Sequence, residues 1–319
     1  MRILIYGFGN LGKRHMQAAL ELSPLAEVSI YDGFIAREKV EGEVIAFLKA
    51  VGSDEKTGRV VVVDKAEINK LEKFNVVIDA TLAHDRLSRL STLLLSLSHQ
   101  PDAVLVEKLV VSGPSQLAHF SAFQSTFLSW NIYVHCPRST WPAYCNLSNN
   151  FTQNSLDIQV DLVGTELGSN LIHFVALFDF IVSGQLATGK CRVVDSSIIW
   201  RPSTRRHAVS EGYGSISLRF GANSLNVRSS ECQDADVAAC RVNISSKGET
   251  LFSYHETSGE LFMGGERTTE IVPFLSQSSY LYREVLNGDS ALPTLLTSLK
   301  HHELVFECFQ QSKLSGAVT

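Results

Sequence analysis

Two rhythms of apolar positions divide the chain. From residue 2 to about 136, short and nearly continuous runs of Val, Ile and Leu, at 2–6, 27–31, 59–63, 75–80, 103–106 and 131–136, alternate with stretches of helical period at 11–22, 36–50, 84–98 and 114–129. Runs that are apolar on both faces suit strands of a parallel sheet covered by helices, joined by crossover connections. Near Pro137 the rhythm changes. At 155–164, Leu156, Ile158, Val160 and Leu162 alternate with polar residues, the period of a strand with one wetted face. A helix over 170–182, closed by Ser183-Gly184, follows; further alternating runs at 190–200, 215–220, 224–228, 239–245, 249–254 and 259–263 predict an antiparallel sheet of about six strands. Two helices, 274–286 and 293–311, end the chain.

Where the first strand stops, Gly7-Phe8-Gly9-Asn10-Leu11-Gly12 forms a GxGxxG motif that opens an amphipathic helix. In that context Gly7 permits the tight turn, Gly9 the approach of a pyrophosphate to the backbone, and Gly12 the packing of helix on strand. The unpaired N–H groups of the first helical turn, with the helix dipole, favour the phosphates. Asp32, at the end of the second strand and 20 residues after Gly12, is placed to accept both ribose hydroxyls and repel a 2′-phosphate, which favours NAD. Arg37 lies close enough in sequence to bind that phosphate, so NADP stays open. The fold expected is α/β: an N-terminal Rossmann doubly wound parallel sheet, then an α+β domain with an open, mostly antiparallel sheet. The boundary falls at 112–138: a dinucleotide domain over 1–112 whose last strand and linker reach about 138, a substrate and oligomerisation domain over 139–290, and a C-terminal helix over 291–319 returning to the core.

Composition narrows the function classes. A net charge of -5 and a pI near 6.1 leave no basic stripe for nucleic acid, and no run of 18 apolar residues suggests a membrane span. Met1-Arg2 leads straight into the first strand with no apolar signal core, so a cytoplasmic protein is expected. None of the six cysteines has CxxC spacing, and they read as reduced, mostly buried residues with no metal site; the sequons at Asn146 and Asn150 then carry no meaning.

The ordered motifs resemble the Gfo/Idh/MocA oxidoreductase family, relatives of glucose–fructose oxidoreductase and inositol dehydrogenase. The resemblance runs through Gly7–Gly12 with Lys13-Arg14-His15; Asp79-Ala80-Thr81 followed by His84, similar to an Ala-Thr-x-x-His turn; Glu107-Lys108-Leu109, where the family has Glu-Lys-Pro; Val134–Arg138 with Trp141, Pro142 and Tyr144; Asn170–His173; and Gly288 with Leu292-Pro293-Thr294. It implies that Thr81, His84 and Glu107 line the nicotinamide side, that Lys108 is catalytic, contacting substrate hydroxyls and helping with proton transfer, and that His173 is a catalytic histidine. Independently of the family, a Lys–Glu pair at the carboxyl end of a parallel strand stands where ligands bind, and histidine suits proton exchange near neutral pH. Arg138 and Tyr144 are candidates for substrate binding, with a salt bridge at the domain junction as the alternative for Arg138.

This chain departs from the pattern. Leu109 replaces the proline, so a trans Lys108–Leu109 peptide is expected, since a non-proline cis bond costs about 3–4 kcal/mol. Ser169 and Ala176 stand where the family carries aspartates around its histidine, which weakens the usual proton relay; Asp179 lies too far along to replace them. His301-His302-Glu303 looks like a metal cluster, but adjacent helical residues diverge by about 100° and cannot readily share one ion, so the three are expected on the wetted side of the last helix. Arg201, Arg205 and Arg206 read as solvated surface. The expected function is NAD(P)-dependent hydride transfer at a hydroxyl or carbonyl of a sugar, cyclitol or sugar-derived acid, by a homodimer or homotetramer. The alternatives are an NAD-recycling glycosidase-type enzyme and a non-catalytic NAD(P)-binding sensor or assembly protein.

Overall fold

The computed structural model describes residues 1–145, 147, 151, 155–182, 186, 189, 191–202, 210–232, 238–313 and 318. Ser183, Gly184, Asn146, Asn150, Arg205 and Arg206 lie outside the described residues. The chain forms two compact units, Met1–Val110 with Ala122–His135 and Pro273–Ser290, and Val111–Ser121 with Cys136–Val272 and Ala291–Thr319.

In the first unit, β1 (Arg2–Tyr6), β2 (Glu27–Tyr31), β3 (Val60–Val62), β4 (Val76–Asp79), β5 (Ala103–Glu107) and β6 (Ile132–His135) make a parallel sheet in the order β3-β2-β1-β4-β5-β6. This order reverses beside β1, and such a reversal opens a ligand crevice at the carboxyl ends of the strands. The central strands are buried on both faces: Ile3, Leu4, Ile5, Val76, Val77, Ile78 and Leu105 are all 0% exposed, the reason their runs are continuously apolar. Crossover helices α1 (Asn10–Leu22), α2 (Arg37–Ala50), α3 (Lys65–Ile68) and α4 (Arg86–Ser96) join them; α5 (Leu117–Thr126) spans the division between the units. The segment 273–290, assigned by sequence to the second domain, belongs to the first unit. Its helix Ser279–Asn287 packs on α1, with Arg283 donating to the Leu22 carbonyl at 2.8 Å and Tyr282 fully buried.

The second unit holds an eight-stranded sheet, β7 (Asp157–Val163), β8 (Cys191–Pro202), β9 (Ser210–Phe220), β10 (Asn223–Ser230), β11 (Ala239–Ser246), β12 (Glu249–His255), β13 (Glu260–Met263) and β14 (Glu266–Thr269). Their order is β14-β13-β12-β11-β7-β10-β9-β8, antiparallel except for β7 with β10. β14 goes beyond the sequence pattern: Glu-Arg-Thr-Thr has no apolar residue, and backbone pairing to β13 alone makes it a strand. One face of the sheet is apolar, carrying Ile158, Val160, Leu225, Val227 and Val242; α6 (Leu171–Ile181) and the final helix Leu295–Gln311 belong to this unit and pack together. The other face is polar, with Ser217 bonded to Asn226 and Asn226 to Asp157. Among the described residues no helix is long and apolar enough to cross a membrane.

The final helix corrects the reading of its histidines. His301 and His302 are 2% and 0% exposed. His301 Nε2 pairs with Asp179 at 2.9 Å, and His302 Nδ1 meets the Ser298 carbonyl at 2.7 Å. Neighbouring residues diverge, but in a helix covered over most of its girth both directions meet protein; of these three residues Glu303 alone is exposed.

Candidate cofactor and catalytic site

The glycine loop has the shape its spacing implies. Gly7 has φ +93°, a conformation that side chains rarely adopt. A Cβ on Gly12 would sit 2.1 Å from the Gly7 carbonyl oxygen, so no side chain fits between loop and helix. A Cβ on Gly9 would meet nothing within 4 Å, leaving open space over the loop. The first α1 bond is Lys13 N–H to the Gly9 carbonyl at 3.0 Å, so the amides of Asn10, Leu11 and Gly12 precede the helical ladder. Phe8 is buried, while Asn10 and Leu11 are exposed. A glycine-lined cradle at a helix N-terminus fits a dinucleotide pyrophosphate.

Asp32 stands beside it. Its Oδ2 accepts the Phe8 N–H at 2.8 Å, and its Oδ1 accepts those of Phe34 and Ile35 at 2.8 and 3.1 Å. Oδ1 thus accepts twice and Oδ2 once, so the carboxylate braces the loop and keeps one free acceptor site, on Oδ2. Arg37 is engaged by Glu41 at 2.9 Å, Glu67 at 3.0 Å and Asp64 at 3.5 Å. Sequence reasoning missed Phe34, 70% exposed two residues past Asp32, over which the Arg89 guanidinium lies at 4.8 Å. An aromatic residue two positions past the candidate ribose carboxylate was the available signal.

At the ends of β4 and β5 the structure brings together Asp79, Thr81, Arg86, Glu107 and Lys108. Thr81 donates its N–H and Oγ–H to Asp79 Oδ1 at 2.8 and 2.6 Å. Arg86, 2% exposed, lies 3.8 Å from Asp79 and donates to the carbonyls of Thr81, Glu107 and Leu109. Burial pushes the Asp79 carboxyl up and the Arg86 guanidinium down, and their mutual attraction opposes both shifts. The Lys108–Leu109 peptide is cis, against the trans expectation. The carbonyls flanking Lys108 are both held by Arg86, a long-range contact absent from the local sequence rule. Lys108 is half-buried; His84 is exposed and its Nε2 lies 3.1 Å from Asp85, away from the buried group.

The Glu107 side chain is enclosed. Its Oε1 lies 2.8 Å from His15 Nε2 and 2.9 Å from His135 Nδ1, and His15 Nδ1 meets the Tyr282 hydroxyl at 2.7 Å. Burial would raise the Glu107 carboxyl, but the His135 and His15 imidazoles overcome it and hold it well below the usual carboxylate range. Burial lowers His15, with Glu107 opposing. The consistent assignment is an ionised Glu107 receiving N–H from a neutral His15 whose other nitrogen accepts from Tyr282. The two imidazoles and the carboxylate are also a donor set for a divalent ion, with ligand atoms within 4.8 Å of one another. Hydrogen bonding to one oxygen already accounts for the cluster. The Glu107 side chain is therefore committed to His15 and His135.

In the second unit, His173 is half-buried on α6. Ser169 offers its N–H to Glu166 at 3.2 Å, its hydroxyl bonds the same carboxylate, and the Glu166 carbonyl accepts from Asn170 Nδ2 at 2.9 Å. A carboxylate thus sits at Ser169 although the residue there is not acidic. Asp179 is turned to His301 and to the Leu186 N–H. Arg138 adopts the salt-bridge alternative: Nε and Nη2 each lie 2.8 Å from a Glu256 oxygen, and the Tyr144 hydroxyl donates to the same carboxylate at 2.8 Å. Burial opposes ionisation of Arg138 and of Glu256, and their attraction overcomes it, raising the guanidinium and lowering the carboxyl. The fork that a substrate anion would need is occupied by Glu256.

No protein-family model matches the sequence, and no curated protein matches it. Solved structures do. UDP-N-acetylglucosamine 3-dehydrogenase GnnA from Acidithiobacillus ferrooxidans superposes with a TM-score of 0.67 at 14% identity, covering 98% of this chain and 97% of that one. Biliverdin reductase from Synechocystis sp. PCC 6803, solved with biliverdin and NADP+, gives 0.67 at 14% identity, covering 98% and 99%. A Gfo/Idh/MocA family oxidoreductase from Vibrio cholerae gives 0.65 at 13% identity, covering 98% of each chain. The chain has the Gfo/Idh/MocA fold. At such identities the likeness fixes architecture, and the Gfo/Idh/MocA fold carries both a sugar-nucleotide dehydrogenase and a bilin reductase in these neighbours.

Proposed function

We propose that the protein is an NAD-dependent oxidoreductase acting on a hydroxyl or carbonyl of a sugar, cyclitol or sugar-derived acid. The observation that carries this reading is the loop of the first unit: open space over Gly9, closure at Gly12, and the Asp32 carboxylate bonded to the Phe8 amide. When bound, the nicotinamide supplies the hydride acceptor or donor. The Gly7–Gly12 amides hold the pyrophosphate, with Asp32 on the ribose and Thr81 and His84 on the loop after β4. Glu107, locked by His15 and His135, leaves its neighbour Lys108 to polarise the reacting oxygen. Proton exchange falls to His173, with Glu166 bringing a carboxylate to Ser169 in place of an aspartate. NAD is favoured over NADP because Asp32 repels a 2′-phosphate and Arg37 is neutralised by three carboxylates. A homodimer or homotetramer through the polar face of the eight-stranded sheet completes the proposal.

NADH titration, followed by a panel of sugars, sugar acids and nucleotide sugars, tests it. NADH binding is expected, and with NAD+ supplied as oxidant one of the panel is expected to give net NADH formation, which is lost in Lys108→Ala and His173→Ala. Turnover without net NADH favours the recycling alternative. Tight NADH binding with no turnover, unaffected by Lys108→Ala, favours a sensor; no binding of either dinucleotide overturns the reading.

A further inference from the structure

The backbone on both sides of Lys108 is tied to one buried group. Arg86 begins α4, and one of its terminal nitrogens, Nη1, donates to the carbonyls of both Glu107 and Leu109, while Nη2 donates to the Thr81 carbonyl. These acceptors lie in the turn after β4 and at and beyond the end of β5, so a single planar guanidinium joins two separate segments. Across β5, the Glu107 carboxylate is held by His15 and His135. Residue 107 is thus fixed through its side chain and its carbonyl, and residue 109 through its carbonyl. Lys108, between them, is half-buried.

Stability alone is a poor account of this arrangement. A buried ion pair such as Arg86 with Asp79 is often no more stabilising than apolar residues of equal volume, because desolvation offsets the attraction. Asp79 ends an otherwise apolar strand, and its Oδ2 has no hydrogen-bond partner among the described residues. What the pair does secure is a rigid fork of donors where three main-chain carbonyls converge. A lysine, with its compact ammonium on a flexible stem, cannot reproduce that geometry.

We propose that Arg86, neutralised by Asp79, is the positioning residue that fixes Lys108 for the reaction. This rests on the functional reading above in so far as Lys108 is catalytic. Arg86 touches no reacting atom; it acts through the main chain on either side of the lysine. Its loss therefore lowers turnover while the glycine loop keeps its grip on the dinucleotide.

The test compares wild type with Arg86→Lys, which keeps a charge beside Asp79, and with Arg86→Met/Asp79→Asn, which leaves no unpaired charge if the single variant fails to fold. Hydrogen exchange of amides 108–111 in the cofactor-free protein is expected to quicken about tenfold or more in the double variant. With the panel substrate, kcat is expected to fall about 100-fold, the scale of a misplaced catalytic group. The dissociation constant for NADH stays within about threefold, and Arg86→Lys does not restore kcat. Unchanged exchange at 108–111, or a kcat equal to wild type in the double variant, overturns the proposal. A wild-type protein that binds no NADH overturns the functional reading instead, and the exchange comparison still reads whether Arg86 holds the turn.

Discussion

The carboxylate of Asp32 accepts the backbone N–H of Phe8 at 2.8 Å, joining the end of the second strand to the middle of the glycine loop. Replacing it with asparagine removes charge and one acceptor from three N–H bonds. A hydrogen bond to a charged group contributes about 1.5–3 kcal/mol, so NADH affinity is expected to fall roughly tenfold or more in Asp32→Asn. NADPH should gain little, because Arg37 stays bound to Glu41 and Glu67. Adding Glu41→Gln and Glu67→Gln should release Arg37 and shift preference toward NADPH. Calorimetric titration with both dinucleotides reads each step.

Two glycines of the loop separate folding from binding. Gly9→Ala should fold with an unchanged melting temperature, since the added methyl meets no protein atom within 4 Å, yet lose NADH binding as the methyl blocks the pyrophosphate. Gly12→Ala places a Cβ 2.1 Å from the Gly7 carbonyl and should destabilise by about 1–3 kcal/mol or more. Thermal melts and NADH fluorescence on both variants check the contrast; an unaffected affinity in Gly9→Ala removes the pyrophosphate from that spot.

The buried cluster predicts a pH dependence of stability. His15 is lowered from its ordinary value by burial, so on acidification the unfolded chain binds its proton first. Its contribution is full above about pH 6.5 and is lost as pH falls from there toward the folded value. Glu107, also depressed, adds stability that is present above about pH 4.3 and lost as pH falls through its lower folded value. Melting temperatures measured from about pH 8 down to about pH 4 should fall more steeply below about 6.5 in wild type than in His15→Gln.

Arg138 and Glu256 form a pair whose separation in the chain is 118 residues, with side chains 12% and 7% exposed. Removing one partner strands the other charge: Arg138→Met should cost about 3–5 kcal/mol, and Arg138→Met/Glu256→Gln should recover much of it. Denaturant titration of the two variants and wild type closes the cycle. Equal stability of single and double variants counts against the pair as the cause.

Glu166 supplies a further expectation. If its carboxylate serves His173 through Ser169, Glu166→Gln should reduce kcat about tenfold and shift the pH profile, while Ser169→Asp in the same background restores both. A pH–rate profile of the three proteins separates this from loss of helix stability.

Much of the first unit was legible in the amino-acid order. The parallel strands, the loop at Gly7–Gly12 and Asp32 all follow from patterns within about thirty residues, the span of one βαβ unit, where neighbours along the chain are neighbours in space. Two readings failed at long range. His301 and His302 carry no mark of burial in their own segment, and His301 depends on Asp179, 122 residues earlier. The cis Lys108–Leu109 peptide stands beside Arg86, 22 positions upstream of Lys108 and outside any local rule.

Alternating and continuous apolar runs suffice to specify which segments are strands, which are helices, and which turn suits a phosphate, because those properties depend on adjacent side chains and backbone dihedrals. The partners of buried polar groups are another matter: His15 meets Tyr282 from 267 residues away, and the helix carrying that tyrosine joins the first unit, not the domain in which the linear pattern puts it. Desolvation forces a buried polar or ionised group to find a counterpart, but the identity of that counterpart emerges when distant segments pack, and no local periodicity encodes it.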